Sequence, residues 1–136
     1  MTEQTSFAHL TAPPEIRVDR QPQAEAIFPA ISPLEYLLVL YVDADGKIAQ
    51  VHCNTDFLKD MVLLPARSIV REALVHGHRR FILMHNHPSG DPSPSPADIV
   101  VTRLLCRTAA TLGLELLDHI IVAQQSCFSF RAAGLM

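Results

Sequence analysis

The sequence predicts a single α/β domain in which one mixed β-sheet is flanked by helices. The chain has 136 residues, of which 49% are hydrophobic and 18% are charged, a composition that favours one folded domain over a disordered chain. The predicted elements follow the order strand, strand, short strand, helix, strand, helix, strand, strand. Because helices alternate with strands in the middle of this order, we expect one mixed sheet with the helices packed on it.

Residues 1–30 are predicted to form an N-terminal extended arm, and residues 31–136 the domain itself. Four prolines stand in the arm, at positions 13, 14, 22 and 29, and the first pair disfavours a helix at its start. A short helix is expected near residues 23–27. The sequence leaves three arrangements of the arm open: it frays, packs on the domain, or packs on a second copy of the chain in a homodimer.

Two strands joined by a tight turn are predicted to begin the domain. Residues 35–42 are one carboxylate followed by a continuous apolar run rich in β-branched and aromatic side chains, which favours a buried strand. The segment Asp43-Ala44-Asp45-Gly46 supplies a turn, and residues 47–55 return as the second strand of a hairpin. A third short strand is expected at residues 61–64.

A first helix is predicted from Pro65 to about His76. Proline suits the first helical position, and Gly77 suits a C-terminal cap. Residues 79–85 turn apolar again, which indicates a central strand. The predicted apolar stripe of the helix has four members: Ile69, Val70, Ala73 and Leu74.

The longest helix is predicted to begin at Ser95-Pro96, after a proline-rich loop, and to end at Gly113. Residues 114–123 indicate another buried strand, and the alternation of Phe128-Ser129-Phe130 indicates an edge strand. The residues that recur at helical spacing on the buried side of the long helix are Ile99, Thr102, Leu105, Cys106, Ala109 and Leu112.

Charge and cysteine content exclude several classes of protein. The net charge is −3 and no long basic run occurs, which argues against a nucleic-acid partner. The three cysteines are widely spaced and form no C-x-x-C pair, so neither a disulfide framework nor a cysteine zinc site is supported. The polar N-terminus lacks a signal-peptide core and no apolar run reaches the length of a membrane span. We therefore expect a cytoplasmic protein with no membrane partner.

The stretch MHNHPSGDPSPSPADI, from Met84 to Ile99, carries most of the candidate chemistry. Successive strand residues point to opposite faces, so His85 and His87 project to the same side and can share one metal ion. Asp98 enters just after the loop, in the first turn of a helix that can aim it back at the strand end. Three ligands would leave one position open on a zinc ion, as in catalytic sites.

Glu35 and Ser95 are the candidates for the remaining catalytic roles. Glu35 stands directly before a buried strand and could take a proton from water; Ser95 could donate its hydroxyl hydrogen to an oxyanion. Simpler interpretations stay open. Ser95 and Asp98 have the spacing of a helix capping box, and Glu35 could be a solvated residue beside a strand. His119 could support a metal ligand from behind, or be an ordinary buried or edge histidine.

The motif His85-x-His87-Pro88, six residues, Ser95, two residues, Asp98 matches the JAMM metalloprotease motif. The surrounding sequence resembles the RadC branch of the JAB/MPN superfamily from about residue 34 to residue 135. The resemblance implies a cytidine-deaminase-like α/β sandwich and one Zn²⁺ ion per chain, bound by the two histidines and Asp98. It also implies that Glu35 is the general base and acid and that Ser95 stabilises the tetrahedral intermediate. Glu72 is the rival carboxylate, but its neighbours place it on a helix surface.

The leading hypothesis is a zinc metallohydrolase that cleaves peptide or isopeptide bonds in a peptide or protein substrate. The second is a metal-binding module that acts as an interaction scaffold without turnover. The third is a DNA-repair factor, which the family's customary label suggests and the acidic pI of about 6.1 opposes. RadC proteins often carry a helix-hairpin-helix region, for which this chain is too short, so a nucleic-acid role of that region does not transfer.

Overall fold

A computed structural model describes residues 35–54, 66–124 and 126–136 of the chain. The arm at 1–30, the short helix near 23–27, the third strand at 61–64 and the first helical position at Pro65 lie outside these residues. The elements of the described part are β1 (Leu37–Val42), β2 (Ile48–Asn54), α1 (Ala66–His76), β3 (Arg80–Asn86), α2 (Pro96–Thr111), β4 (Glu115–Val122) and β5 (Cys127–Ser129).

The described strands form one mixed sheet with the order β2-β1-β3-β4-β5. Strand β1 is antiparallel to both β2 and β3, and β4 is antiparallel to β5. Strands β3 and β4 are parallel, and the crossover that a parallel pair requires contains α2. The predicted α/β fold with a single mixed sheet is therefore confirmed.

The hairpin of β1 and β2 closes at the predicted turn. The Asp43 carboxylate accepts hydrogen bonds from the backbone N–H groups of Asp45 and Lys47, at 2.9 and 3.0 Å. Gly46 has a φ of 81°, a conformation that residues with a Cβ adopt at a steric cost. The turn thus pairs β1 with β2, and β1 lies between β2 and β3 in the sheet.

Both described helices pack on the same face of the sheet. On this helix-facing side, Ile69 and Ala73 of α1 and Leu105 and Ala109 of α2 meet apolar residues of the strands, which are Leu37, Val39, Tyr41, Phe81, Leu83, Leu114 and Leu116. The Tyr41 hydroxyl donates to the Ile69 carbonyl at 2.9 Å and ties β1 to α1. The opposite face is also buried and includes Leu38, Leu40, Val42, Ile82, Met84 and Val122.

The buried stripes of the two helices are narrower than predicted. Leu74 is 56% exposed and Leu112 is 48% exposed, so the prediction that they pack in the core is wrong. Leu74 lies beside the stripe that α1 turns to the sheet, and Leu112 is the C-cap of α2, beyond its last helical turn. Helix α2 buries three of the predicted residues, Thr102, Leu105 and Ala109, and it also buries Asp98.

No helix in the described ranges is long and apolar enough to cross a membrane.

Candidate metal centre

Two histidines meet at the carboxyl end of β3, on the helix-facing side of the sheet. His85 lies in β3, and the backbone N–H of His87 donates to the Val122 carbonyl of β4 at 2.9 Å, which continues the strand pairing past the end of β3. The two rings therefore share one side, and their Nε2 atoms are 3.0 Å apart. His85 is buried and His87 is half-buried.

Asp98 completes a three-residue cluster from the first turn of α2. Its Oδ1 is 3.9 Å from Nε2 of His85, and its Oδ2 is 3.7 Å from Nε2 of His87. The ligand atoms of the three residues all lie within 4.8 Å of one another. Tetrahedral zinc with bonds of about 2.0–2.2 Å separates its ligands by about 3.3–3.6 Å. The observed distances bracket this range, so the residue types and their spacing fit a metal ion.

A capping box holds Asp98 in position. The Ser95 hydroxyl oxygen accepts the Asp98 backbone N–H at 3.1 Å, and Oδ2 of Asp98 accepts the Ser95 backbone N–H at 2.9 Å. The capping interpretation and the metal interpretation of these residues are therefore compatible, because the cap is what directs the carboxylate toward the histidines. As an acceptor in the cap, the Ser95 hydroxyl keeps its own hydrogen for donation elsewhere.

The electrostatics of the cluster favour a cation. Burial lowers the pKa of His85 to about 4, so its ring is neutral at physiological pH. The interaction with Asp98 raises the pKa of His87. Burial by itself would raise the pKa of Asp98, but His87 and the Ser95 N–H outweigh it and hold that pKa well below its usual range. The cluster thus presents an ionised carboxylate and a neutral imidazole, both in the state that binds metals.

These shifts predict how metal affinity depends on pH. His87 is protonated below its raised pKa, Asp98 stays ionised, and His85 stays neutral down to about pH 4. Between about pH 4.5 and 6, binding must therefore displace one proton, and affinity should fall about tenfold per pH unit on acidification. Below pH 4 the fall should steepen as His85 also protonates. Zinc titrations against a competing chelator across this range measure the slope; a pH-independent affinity would contradict the assigned ligands.

Glu35 lies beside this cluster. Strands β1 and β3 pair Leu37 with His85, and continuing this antiparallel register by two residues on each strand brings Glu35 level with His87 on the same side of the sheet. Glu35 is half-buried, and its charge contributes to the raised pKa of His87. The backbone N–H of Tyr36 donates to Oδ1 of Asn86 at 2.6 Å, which anchors the segment that carries Glu35.

The rival carboxylate, Glu72, lies elsewhere. It accepts from the Gln50 side chain at 3.4 Å and pairs with His76, one turn along α1, at 3.2 Å. Gln50 pairs with Tyr41 of β1, whereas His85 pairs with Leu37. Glu72 therefore lies near a part of β1 that is four residues away from the partner of His85. Glu72 is therefore a residue of the helix surface, as predicted, and it does not join the cluster.

The sequence left the role of His119 open, and the structure places it directly behind His85. Nε2 of His119 is 2.6 Å from Nδ1 of His85, and its Nδ1 is 2.6 Å from Oγ1 of Thr102. Phe130 stacks on the His119 ring at a centroid distance of 4.6 Å and an angle of 7°. In the sequence, Thr102 is one of the residues that recur at helical spacing on the predicted buried side of α2. Because buried hydroxyl groups form hydrogen bonds, a threonine among buried helical residues indicates a polar side chain on the element that the helix packs against. Here that side chain is His119.

Asp118 secures the strand that carries His119. The carboxylate is 2% exposed and accepts from the Ser129 hydroxyl at 2.5 Å and the Arg131 backbone N–H at 3.0 Å. These bonds fasten β4 to β5 and to the turn that follows it. Phe130 stands in that segment, so Asp118 also fixes the ring that packs on His119.

Comparisons with known proteins identify the family and several relatives of this chain. Residues 21–135 match the model of the family described as the RadC-like JAB domain. The chain is similar to a UPF0758 protein of Pelodictyon phaeoclathratiforme, with 37% identity over 102 residues that cover 75% of this chain and 46% of the relative. It is also similar to a UPF0758 protein of Symbiobacterium thermophilum, with 33% identity over 117 residues, or 82% of this chain and 50% of the relative. The chain thus spans about half the length of these relatives.

Proposed function

This chain belongs to the RadC-like JAB domain family, and from that premise we propose that it is a zinc-dependent metallohydrolase that cleaves peptide or isopeptide bonds. The observation that carries the proposal is the convergence of His85, His87 and Asp98 at one end of the sheet, with a carboxylate and a hydroxyl beside them. Three ligands of these types leave a tetrahedral ion one open position, which distinguishes a catalytic site from a closed structural one.

His85, His87 and Asp98 would hold the ion. When bound, zinc would supply a Lewis acid that polarises the scissile carbonyl and brings the pKa of water toward neutrality. The Glu35 carboxylate, level with His87, would accept a proton from the attacking water and return it to the leaving amine. The Ser95 hydroxyl, whose oxygen already accepts from the helix cap, would donate its hydrogen to the oxyanion that develops on the carbonyl.

A second candidate is a metal-binding interaction module without turnover. One observation favours it: the cluster joins β3 to α2 across the proline-rich loop, so a bound ion would cross-link two elements. In that case the ligands would stabilise the loop, and Glu35 would have no chemical part. A DNA-repair role has no comparable support, since the net charge is −3; salt-dependent binding of DNA by the purified chain would revive it.

Hydrolysis of defined substrates separates the two candidates. We expect the zinc-loaded chain to cleave members of a panel of fluorogenic peptides and isopeptide-linked peptides, to lose this activity on chelation, and to regain it when zinc is restored. A chain that binds zinc and gains thermal stability from it, yet cleaves no member of the panel, would favour the interaction module. Cleavage that survives complete removal of metal would contradict the proposed mechanism.

A further inference from the structure

Two consecutive hydrogen bonds connect the candidate ligand His85 to His119 and then to Thr102. Nδ1 of His85 faces Nε2 of His119, and Nδ1 of His119 faces Oγ1 of Thr102, each at 2.6 Å. Thr102 and His119 are 0% and 2% exposed, so solvent cannot substitute for either partner. These hydrogen bonds therefore link Thr102, in the middle of α2, to the metal cluster.

The other histidine of the cluster shows what such a contact does. Nδ1 of His87 is 2.9 Å from the Asp91 carbonyl oxygen. A carbonyl only accepts hydrogen bonds, so Nδ1 of His87 carries the hydrogen and Nε2 offers a lone pair in the neutral ring. His87 is thus held in the tautomer that binds metal through Nε2.

For His85, the tautomer depends on the direction in which the hydrogen bonds with His119 and Thr102 point. To bind metal through Nε2, His85 must carry its hydrogen on Nδ1 and donate it to Nε2 of His119. His119 must then carry its hydrogen on Nδ1 and donate it to the Thr102 oxygen. When no metal is bound and all rings are neutral, the hydrogen bonds can point in the opposite direction. The Thr102 hydroxyl then donates to Nδ1 of His119, and Nε2–H of His119 donates to Nδ1 of His85. Nε2–H of His85 in turn donates to the lone pair on Nε2 of His87, 3.0 Å away.

We propose that His119 and Thr102 are positioning residues that hold His85 in the tautomer able to bind a metal ion through Nε2. The inference rests on the proposed metal site and adds to it a pair of residues outside the ligand set. Each group keeps one hydrogen in both directions. On metal binding, His85 and His119 each exchange an Nε2–H for an Nδ1–H, and the Thr102 hydroxyl turns from donor to acceptor. Stacking on Phe130 keeps the His119 ring from rotating out of line.

Replacement of Thr102 by valine tests the proposal, because valine has nearly the same shape and lacks the acceptor. In Thr102→Val, a hydrogen on Nδ1 of His119 would be buried without a partner. His119 would therefore favour its Nε2–H form, which donates to His85 and keeps the hydrogen of His85 on the nitrogen that should bind metal. We expect zinc affinity to fall about 10- to 100-fold, although Thr102 is not one of the three residues of the ligand cluster.

Thr102→Ser and Thr108→Val are the matched variants. Serine restores the hydroxyl, so Thr102→Ser should regain most of the lost affinity. Thr108 lies on the same helix, exposed, and its hydroxyl donates to the Leu104 carbonyl at 2.9 Å. Thr108→Val makes the same chemical change away from the site and should leave zinc affinity at the wild-type value. Thermal unfolding of each metal-free variant shows whether it is folded before zinc is titrated.

Long-range ¹H–¹⁵N spectra of the zinc-loaded protein show the tautomers directly. We expect His85 and His119 both to be protonated on Nδ1. Equal zinc affinity in wild type, Thr102→Val and Thr102→Ser would overturn the inference and leave the metal site standing, and so would His119 protonated on Nε2 in the loaded protein. A wild-type chain that binds no zinc would overturn both the metal site and the inference.

Discussion

Replacing Glu35 by glutamine is expected to lower the rate of amide hydrolysis by about 10²–10⁴-fold while zinc stays bound. Glutamine keeps the size of the side chain but cannot accept a proton from water at neutral pH. Glu35 is not in the ligand cluster, which consists of His85, His87 and Asp98, so metal content should be unchanged. The measurement is the rate of cleavage of one peptide substrate by wild type and by Glu35→Gln, each with its zinc content determined.

Glu72→Gln is the control for this experiment. It removes a carboxylate from the surface of α1, where Glu72 contacts Gln50 and His76, and it should leave hydrolysis at the wild-type rate. If Glu35→Gln cleaves the substrate as fast as wild type, then Glu35 is not the base. If Glu72→Gln alone loses activity, the two assignments must be exchanged.

The second large effect is expected from Asp98→Asn, which should abolish stoichiometric zinc binding and hydrolysis together. An asparagine oxygen can still accept the Ser95 N–H, so the cap of α2 is kept, but a neutral amide is not among the ligands that zinc selects. Zinc at about 100 times its dissociation constant should stabilise the wild-type chain by about 2.7 kcal/mol. This zinc-dependent stabilisation should be missing from Asp98→Asn, as thermal unfolding with and without zinc would show.

Asp91→Asn is the matched control. Asp91 is an exposed carboxylate in the loop between the histidines and α2, and its side chain accepts the Ser93 N–H at 2.9 Å. The hydrogen bond with His87 is made by the backbone carbonyl of Asp91, so the substitution leaves that bond in place. Zinc should stabilise Asp91→Asn as much as wild type. Unchanged zinc binding in Asp98→Asn would remove the carboxylate from the ligand set.

The sequence predicted the architecture because its signals were local. Continuous apolar runs mark β1, β3 and β4, the Asp43–Gly46 segment marks the hairpin turn, and Ser95-Pro96 marks the start of α2. Each of these depends on a few adjacent residues whose conformational preferences need no tertiary contact. The prediction that His85 and His87 share one side also needed only the two-residue period of a strand.

Features that depend on packing were predicted less well. Leu74 fits an apolar helical stripe by spacing, but α1 buries Ile69 and Ala73 against the sheet and leaves Leu74 exposed. A register shift between Phe81 and Ile82 pairs Leu83 with His119 rather than with Asp118. That one-residue shift places the ring on the side of the metal cluster, and strand periodicity alone could not reveal it. The exposure of Leu74 and the position of the His119 ring both depend on how α1 packs on the sheet and how β3 pairs with β4.

The central claim is that His85, His87 and Asp98 bind a metal ion, and the most direct test is the metal content of the chain. The protein should be purified without added metal and without chelators, analysed by elemental mass spectrometry, and then titrated with zinc. We predict about one zinc ion per chain, already present or taken up on titration, and none in Asp98→Asn. A chain that carries no zinc and takes up none would contradict the claim.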